Sequence, residues 1–301
     1  MSAEVLLAWR RRMLALGGSP SELDWLLELG GGIGWPQLQA LHLHPQQPLR
    51  LQQPLETLEA LWRRHRLSAE PLQYLVGRCP WRDLDLAVAP GVLIPRQETE
   101  MLVDLALALL PPSPADPLHW ADLGTGSGCL AVALTRALPG SRGFAVDISP
   151  LALDQLAANL ARCACAPGEH GSGSFFWREQ LTLLQSDWWS ALKPWWGRLD
   201  LVISNPPYIP TPLLGGLDPV VRDHEPMLAL DGGPDGLTAI RSIVAGASQA
   251  LAPGGLLLLE HHHDQSAAVQ ALLAAAGLQR CRAHQDLEGV WRFASALRAP
   301  R

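Results

Sequence analysis

Leu118-His119-Trp120-Ala121-Asp122-Leu123-Gly124-Thr125-Gly126-Ser127-Gly128 is the stretch on which the fold turns. Its first six residues have the length and apolar content of a buried strand. Three glycines then alternate with small polar residues before a helical pattern runs over Cys129–Ala137. A strand, a glycine loop and a helix in that order open a doubly wound α/β sheet: the loop lets a ligand approach the backbone, and the helix start offers N–H groups.

Downstream the alternation continues. A second strand, Gly143–Val146, ends at Asp147 and is followed by a helix over Pro150–Cys163. A third, Leu181–Gln185, leads to Asp187-Trp188; a fourth, Leu199–Ser204, leads to Asn205-Pro206-Pro207-Tyr208; Gly254–Glu260 reads as the fifth. Residues 278–286 and 290–297 read as a closing pair of strands. Strands alternating with helices predict a mostly parallel, doubly wound sheet.

Asp147 follows Asp122 by 25 residues, a spacing that suits a carboxylate accepting from both hydroxyls of a ribose. With the loop Gly124, Thr125, Gly126, Ser127 and Gly128 it points to adenosine, an arrangement that nicotinamide cofactors share. Two features separate the cofactors. The spacing is Gly-x-Gly-x-Gly, and Asp122 stands two positions before the first glycine. An extra carboxylate suits a cationic amino-acid tail better than an anionic pyrophosphate, and S-adenosylmethionine carries such a tail and a sulfonium. Asp187 and Trp188 are placed to hold the adenine amino group and cover its ring, although in a chain with twelve tryptophans plain packing is the competing reading of Trp188.

Asn205-Pro206-Pro207-Tyr208 falls at the carboxyl end of a strand, where open α/β sheets bind their ligands. Two successive prolines cannot donate backbone hydrogen bonds and hold φ near −65°, so the segment is stiff and its carbonyls are free to accept. Asn205 adds a side-chain acceptor and donor, and Tyr208 a flat face. Such a site suits a planar group bearing an NH2; a strand simply ended by a Pro-Pro turn is the alternative.

Upstream, residues 1–77 read as a small helical module. Val5, Leu6, Trp9, Met13 and Leu16 recur at helical spacing, Gly17-Gly18 ends that helix, and Ser19-Pro20-Ser21-Glu22 starts the next with a cap, a proline and a glutamate three residues on. Leu23, Leu26 and Leu27 form its buried side. Further helices are expected around Pro36–Leu43, Pro54–Leu67 and from Pro71. Residues 78–97 are expected to link the domains as a β-hairpin, with Leu84, Leu86 and Val88 alternating, Pro90-Gly91 as the turn and Val92-Leu93-Ile94 as the return. Residues 98–301 then form the catalytic domain, whose first helix runs to Leu110 and buries Met101, Leu102, Leu105, Ala106 and Leu109. Pro111-Pro112-Ser113-Pro114 is a stiff spacer, and residues 164–174 have the composition of a flexible insertion, with Cys163 and Cys165 as free thiols in a loop.

A chain of 301 residues with 48% hydrophobic content can bury a large core. Its net charge of −6 argues against a protein that coats nucleic acid or an anionic membrane. The arginine runs at 10–12 and 63–66 read as solvated helix faces. The N-terminus lacks the order of a signal peptide and no stretch reaches the length of a membrane span, so a cytoplasmic protein is expected. Five cysteines without paired spacing indicate neither a disulfide scaffold nor a structural zinc site. His261-His262-His263, read as part of a strand, would alternate faces and could not all reach one ion, so no metal is expected.

Taken in order, DLGTGSG, Asp147, QSDWW (residues 185–189) and NPPY resemble the class I S-adenosylmethionine methyltransferases that modify planar nitrogen groups. The run IPRQETE (94–100), the upstream PLQYLVG (71–77) and EPMLAL (225–230) narrow the resemblance to the HemK/PrmC family of peptide chain release factor glutamine methyltransferases. The match covers roughly residues 70–297, and the helical module fits that family in size and position. The resemblance implies S-adenosyl-L-methionine as cofactor, held by residues 124–128, Asp147, Asp187, Trp188 and Asn205. It implies peptide chain release factors as protein substrates, methylated on the glutamine of a GGQ sequence; the net charge speaks against a direct nucleic-acid partner, and a monomer is expected. It makes Asn205 and the backbone oxygen of Pro206 the catalytic acceptors for the glutamine NH2, with Pro207 and Tyr208 completing the substrate site. Arg96, Thr99 and Glu100 would shape the mouth or touch the cofactor, or Arg96 would anchor the hairpin to the sheet. The chain departs from the family pattern in the histidines after Glu260, in the insertion, and in residues 286–292 of the closing hairpin. NPPY alone is shared with enzymes that methylate exocyclic amino groups of nucleic-acid bases, the second reading; a binding module without turnover and a nicotinamide oxidoreductase are further ones.

Overall fold

The computed structural model describes residues 1–41, 43–44, 46–110, 117–164 and 177–300. The spacer at 111–114, Cys165 and the glycine- and serine-rich stretch beyond Ala164 lie outside the described residues. The chain forms two compact units, Met1–Arg78 with Asp218–His224, and Cys79–Leu217 with Glu225–Arg301.

Among the described residues, the N-terminal segment of the first unit has five helices, Ala3–Leu14, Pro20–Leu29, Trp35–Leu41, Leu55–Ser68 and Leu72–Val76. Leu6, Trp9, Met13, Leu23, Leu26, Leu27, Leu58 and Trp62 pack in one core. The buried face of the first helix runs through Ala3 rather than Val5, which is 49% exposed because it lies about 100° around the helix from Leu6. Leu16 falls past the helix end and is 43% exposed. The second helix opens with a complete capping box: Glu22 N–H donates to Ser19 Oγ (3.2 Å) and Ser19 N–H to Glu22 Oε2 (2.7 Å). The arginine runs are matched by acidic partners. Arg10 grips Asp24 through two bonds of 2.6 and 2.9 Å, Arg12 and Arg63 share Glu59, and Arg64 pairs with Glu70. Asp218 caps the short helix Pro219–Arg222, and His224 Nε2 lies 2.7 Å from the Ser68 carbonyl.

In the second unit a two-stranded hairpin pairs β1 (Arg78–Trp81) with β2 (Leu84–Ala87). The hairpin therefore turns at Arg82, with φ +53°, and not at Pro90-Gly91. Val92 and Ile94 are buried without being strand, and the Ile94 N–H goes to a side chain, Glu225 Oε2 (3.3 Å), where a ladder partner was expected.

The main sheet contains β3 (His119–Leu123), β4 (Arg142–Asp147), β5 (Leu181–Gln185), β6 (Leu199–Ser204), β7 (Leu251–Glu260), β8 (Gln279–Gln285) and β9 (Trp291–Leu297) in the order β5-β4-β3-β6-β7-β9-β8. All pairings are parallel except those of β9 with its two neighbours. One face packs on Leu102, Val103, Leu130, Leu134, Leu156 and Leu160, the other on Ile240, Ile243, Val244, Val269 and Leu273. Burial on both faces is why β6 and β7 read as continuous apolar runs. The helix Glu100–Leu109 buries Leu102, Val103 and Ala106, while Met101 and Leu105 are only partly covered and Leu109 is exposed. Cys163 lies in the helix Pro150–Ala164, not in a loop. Among the described residues no helix is long and apolar enough to cross a membrane.

From β3 the chain builds outward through β4 to β5, then returns to place β6 on the other side of β3. The order reverses between β3 and β6, so their carboxyl ends flank a crevice. The glycine loop and Asn205 each leave one of those two ends.

Candidate active site

A cavity of about 410 Å³ opens at this crevice. Of the residues singled out from the sequence, Gly124, Thr125, Gly126, Ser127, Asp147, Asp187, Trp188, Asn205 and Pro207 line it; Gly128, Pro206 and Tyr208 do not.

The glycine loop is tied to β4. Gly124 and Thr125 both donate N–H to Val146 O (2.8 and 3.0 Å), and Gly126 donates to Asp147 Oδ2 (2.9 Å). Asp147 Oδ1 accepts from Ser149 N–H (2.9 Å). Burial pushes the Asp147 carboxyl above its ordinary range, and these backbone donors pull the other way. Gly126 has φ +55°, and a Cβ there would meet nothing within 4 Å, so conformation is what this position asks of its residue. Gly128 also has positive φ (+82°) and is tightly packed besides: a Cβ would lie 2.2 Å from Leu156 Cδ1, where the loop packs on the helix Pro150–Ala164. The Trp188 ring sits over the loop, 3.4 Å from where a Cβ on Gly124 would be. Asp122, fully buried, accepts from Thr125 Oγ1 at Oδ2 (2.6 Å), while its Oδ1 has no partner. Burial lifts this carboxyl to about 7; the Thr125 bond opposes the rise and the Asp147 charge adds to it.

After β6, Ser204 Oγ donates to Leu123 O (2.6 Å) and pins the two strand ends together. Asn205 Nδ2 donates to Thr99 Oγ1 (3.0 Å), Thr99 Oγ1 donates to Glu260 Oε2 (2.7 Å), and Tyr208 OH donates to Glu260 Oε1 (3.0 Å). Glu260, at the end of β7, is 1% exposed. Burial raises its carboxyl to about 7 against the pull of both hydroxyls. Burial, with the Glu260 charge, also drives the Tyr208 hydroxyl well above its ordinary value. Gln265 Nε2 donates to the Tyr208 carbonyl (2.9 Å). None of the described residues donates to the Pro206 carbonyl.

Arg96 lines the cavity and is anchored at both ends. Its guanidinium donates to the buried Glu225 (2.7 Å), and its carbonyl accepts from Trp81 Nε1 (2.7 Å). The charge partner Glu225 and the hub Glu260 were not recognised from the sequence as parts of the site. The available signal was an acidic residue closing an apolar strand, since a buried carboxylate needs partners. The histidines follow β7 instead of belonging to it. His261 Nδ1 faces the His262 carbonyl (2.8 Å) and His262 Nδ1 faces Asp264 (2.6 Å). In the closing hairpin Asp286 accepts from the N–H groups of Glu288 and Val290 (2.9 Å each) and from Arg292 Nε (2.5 Å), which accounts for the residues between β8 and β9 as a staple of the turn.

A parallel sheet with one antiparallel strand inserted beside its end, a glycine loop after its first strand and an acidic residue after its second define a class I methyltransferase. The fold is shared with the hMettl16 catalytic domain solved in complex with the MAT2A 3'UTR hairpin 6, at a TM-score of 0.54 and 12% identity over 81% of this chain and 80% of that one. No family model matches the sequence. Curated relatives match along nearly the whole chain. The release factor glutamine methyltransferase of Prochlorococcus marinus is 48% identical over 297 residues, covering 99% of this chain and 97% of its own length. That of Gloeobacter violaceus is 42% identical over 290 residues, covering 95% and 94%. The chain belongs to the release factor glutamine methyltransferase family.

Proposed function

We propose that the cavity between β3 and β6 is where this protein methylates the side-chain amide nitrogen of a glutamine in a peptide chain release factor, with Asn205 and the Pro206 carbonyl as the groups that hold the amide. S-adenosylmethionine is the methyl donor and supplies an electrophilic methyl group on its sulfonium. The residues present fit it. The unpartnered Oδ1 of Asp122 is a buried acceptor suited to an ammonium group, and each Asp147 oxygen, already taking one backbone N–H, can accept a second bond from a ribose hydroxyl. Gly126 leaves open space beside the loop, and the Trp188 ring offers an adenine a face beside Asp187.

An amide nitrogen is a poor nucleophile because its lone pair is delocalised into the carbonyl. Two fixed acceptors that take both N–H groups of the glutamine can aim that lone pair and stabilise the positive charge that grows on nitrogen. The single observation that carries the reading is the placement of Asn205. It lines the cavity, opposite the glycine loop, with its amide already fixed through Thr99. Tyr208, outside the lining, supports the segment from behind through Glu260, and Pro207 forms part of the wall.

The helical segment 1–77, none of whose described residues lines the cavity, recognises the protein substrate in this reading; 78–97 serve as linker and 98–301 as the catalytic domain. The GGQ glutamine is the target, no nucleic acid is bound directly, the protein is a monomer, and it works in the cytoplasm, where release factors act. The test is mass spectrometry of purified release factor incubated with this protein and S-adenosylmethionine. A gain of one methyl group on the GGQ glutamine is expected, and an unmodified glutamine after prolonged incubation would overturn the assignment.

A further inference from the structure

We infer that Thr99 and Glu260 are positioning residues that set which end of the Asn205 amide faces the substrate, and that this setting depends on Glu260 being ionised. The inference rests on the reading of Asn205 as the acceptor for the glutamine NH2 and deepens it.

Each hydroxyl beside Glu260 has a single proton to give. Tyr208 has one hydroxyl proton and gives it to Glu260 Oε1; Thr99 has one and gives it to Glu260 Oε2. An ionised carboxylate is acceptor-only, so it draws both hydroxyl protons toward itself. Thr99 Oγ1, its proton committed, can only accept from Asn205, which lies 3.0 Å away. The atom of Asn205 facing Thr99 must then be the NH2. Oδ1 is left as the end of the amide available to the cavity that Asn205 lines. A buried acidic side chain thereby fixes the orientation of an amide it does not touch.

Protonation of Glu260 permits the opposite arrangement. The carboxylic acid can donate to Thr99, Thr99 can turn its proton onto Asn205 Oδ1, and the flipped amide presents its NH2 to the NH2 of the glutamine. Donor against donor holds nothing, and an unsatisfied pair in a closed site is costly. The groups acting on Glu260 are the hydroxyls of Thr99 and Tyr208 and the charges of Glu98 and Arg292, of opposite sign. Burial, joined by the Glu98 charge, outweighs the hydroxyls and Arg292 and brings the carboxyl to about 7, so the orientation changes within the range where enzymes are ordinarily assayed.

The test is the pH dependence of kcat on a glutamine-containing release-factor peptide at saturating S-adenosylmethionine, for wild type and for Thr99→Val, Thr99→Ser, Glu260→Gln and Asn205→Ala, with melting temperature and S-adenosylhomocysteine affinity measured alongside. Wild type is expected to lose kcat as pH falls through about 7. Thr99→Val should lower kcat at least about tenfold, an amount expected of a supporting hydrogen bond, with cofactor affinity within about twofold of wild type; Thr99→Ser should restore most of it. Glu260→Gln should leave a low activity without the acid limb. Wild-type kcat in folded Thr99→Val, or an unchanged acid limb in Glu260→Gln, overturns the inference while leaving the reading of Asn205 in place if Asn205→Ala is inactive. Full activity of Asn205→Ala overturns that reading itself.

Discussion

The segments that follow β3 and β6 leave neighbouring strand ends and line one cavity, yet they are held in opposite ways. The glycine loop is fixed by what lies close to it in the chain: Asp122 three residues from Thr125, and Val146 and Asp147 on the next strand. Its shape comes from residues that tolerate positive φ. The Asn205 segment is fixed from far away, by Thr99, Glu260 and Gln265, which reach it from a helix start, a strand end and the turn beyond that strand. The loop is a conformation, whereas the Asn205 segment is an assembly around a buried carboxylate. The first should fail when its backbone is altered, and the second when a partner is removed.

Asn205→Ala tests the assembled side with the largest expected effect. Loss of one positioned group should lower kcat by about 10²–10³ with the fold intact, and Asn205→Asp should keep part of the activity because a carboxylate still accepts from an amide NH2. Steady-state kinetics at saturating cofactor read both. On the loop side, Gly126→Val forces a β-branched residue toward φ +55°, a strain of about 1–2 kcal/mol. S-adenosylhomocysteine affinity measured by calorimetry should fall at least about tenfold as the loop relaxes away from its shape, and the melting temperature should fall by about 2–4 °C per kcal/mol of strain. Gly128→Ala adds a clash to the backbone strain and should act mainly on stability. Its Cβ meets Leu156 at 2.2 Å, so stability should drop by about 1–3 kcal/mol in chemical denaturation.

Asp122→Asn sharpens the contrast through pH. The folded carboxyl titrates near 7, far above its ordinary 3.8, so between about pH 4 and 7 the folded state keeps a proton that the unfolded state has released. Stability therefore falls as pH rises through that window, and the cost is fully present above it. The variant should melt higher than wild type at pH 8, by roughly 2–4 °C per kcal/mol recovered, match it near pH 4, and bind S-adenosylmethionine more weakly. The smallest effect belongs outside the cavity: Ser19→Ala should cost about 1 kcal/mol through the lost cap and leave kcat unchanged.

The same contrast explains what could be read from the sequence. The strands around the sheet centre, the glycine loop, Asp147 and the Ser19 capping box were legible because each is written in a few adjacent residues. Thr99 and Glu260 are separated by 161 positions, and no local pattern marks two such residues as partners. The hairpin was misplaced because Pro90-Gly91 has turn composition, while the true turn at Arg82 adopts φ +53° without glycine. In the first helix, Val5 and Leu16 have apolar side chains but the wrong angle or lie past the end. Trp188 was legible as a residue near the loop; its position over Gly124 is a matter of backbone geometry, including φ +42°, that its identity does not reveal.

The insertion of β9 between β7 and β8 carries a consequence for how this protein is made. Synthesis delivers β7 with the run Leu256–Leu259 long before residues 291–297 exist, and until they arrive one edge of that strand has no ladder partner. Phe293 pairs opposite Glu260 in the finished sheet, so the buried setting of that carboxylate is also assembled last. A chain cut short before Trp291 should therefore be both sticky and idle: an open apolar edge marks it for aggregation or proteolysis, and the solvated glutamate cannot order the Asn205 amide at the end of the neighbouring strand. Pairing of β9 with β7 is thus expected to complete the surroundings of Glu260.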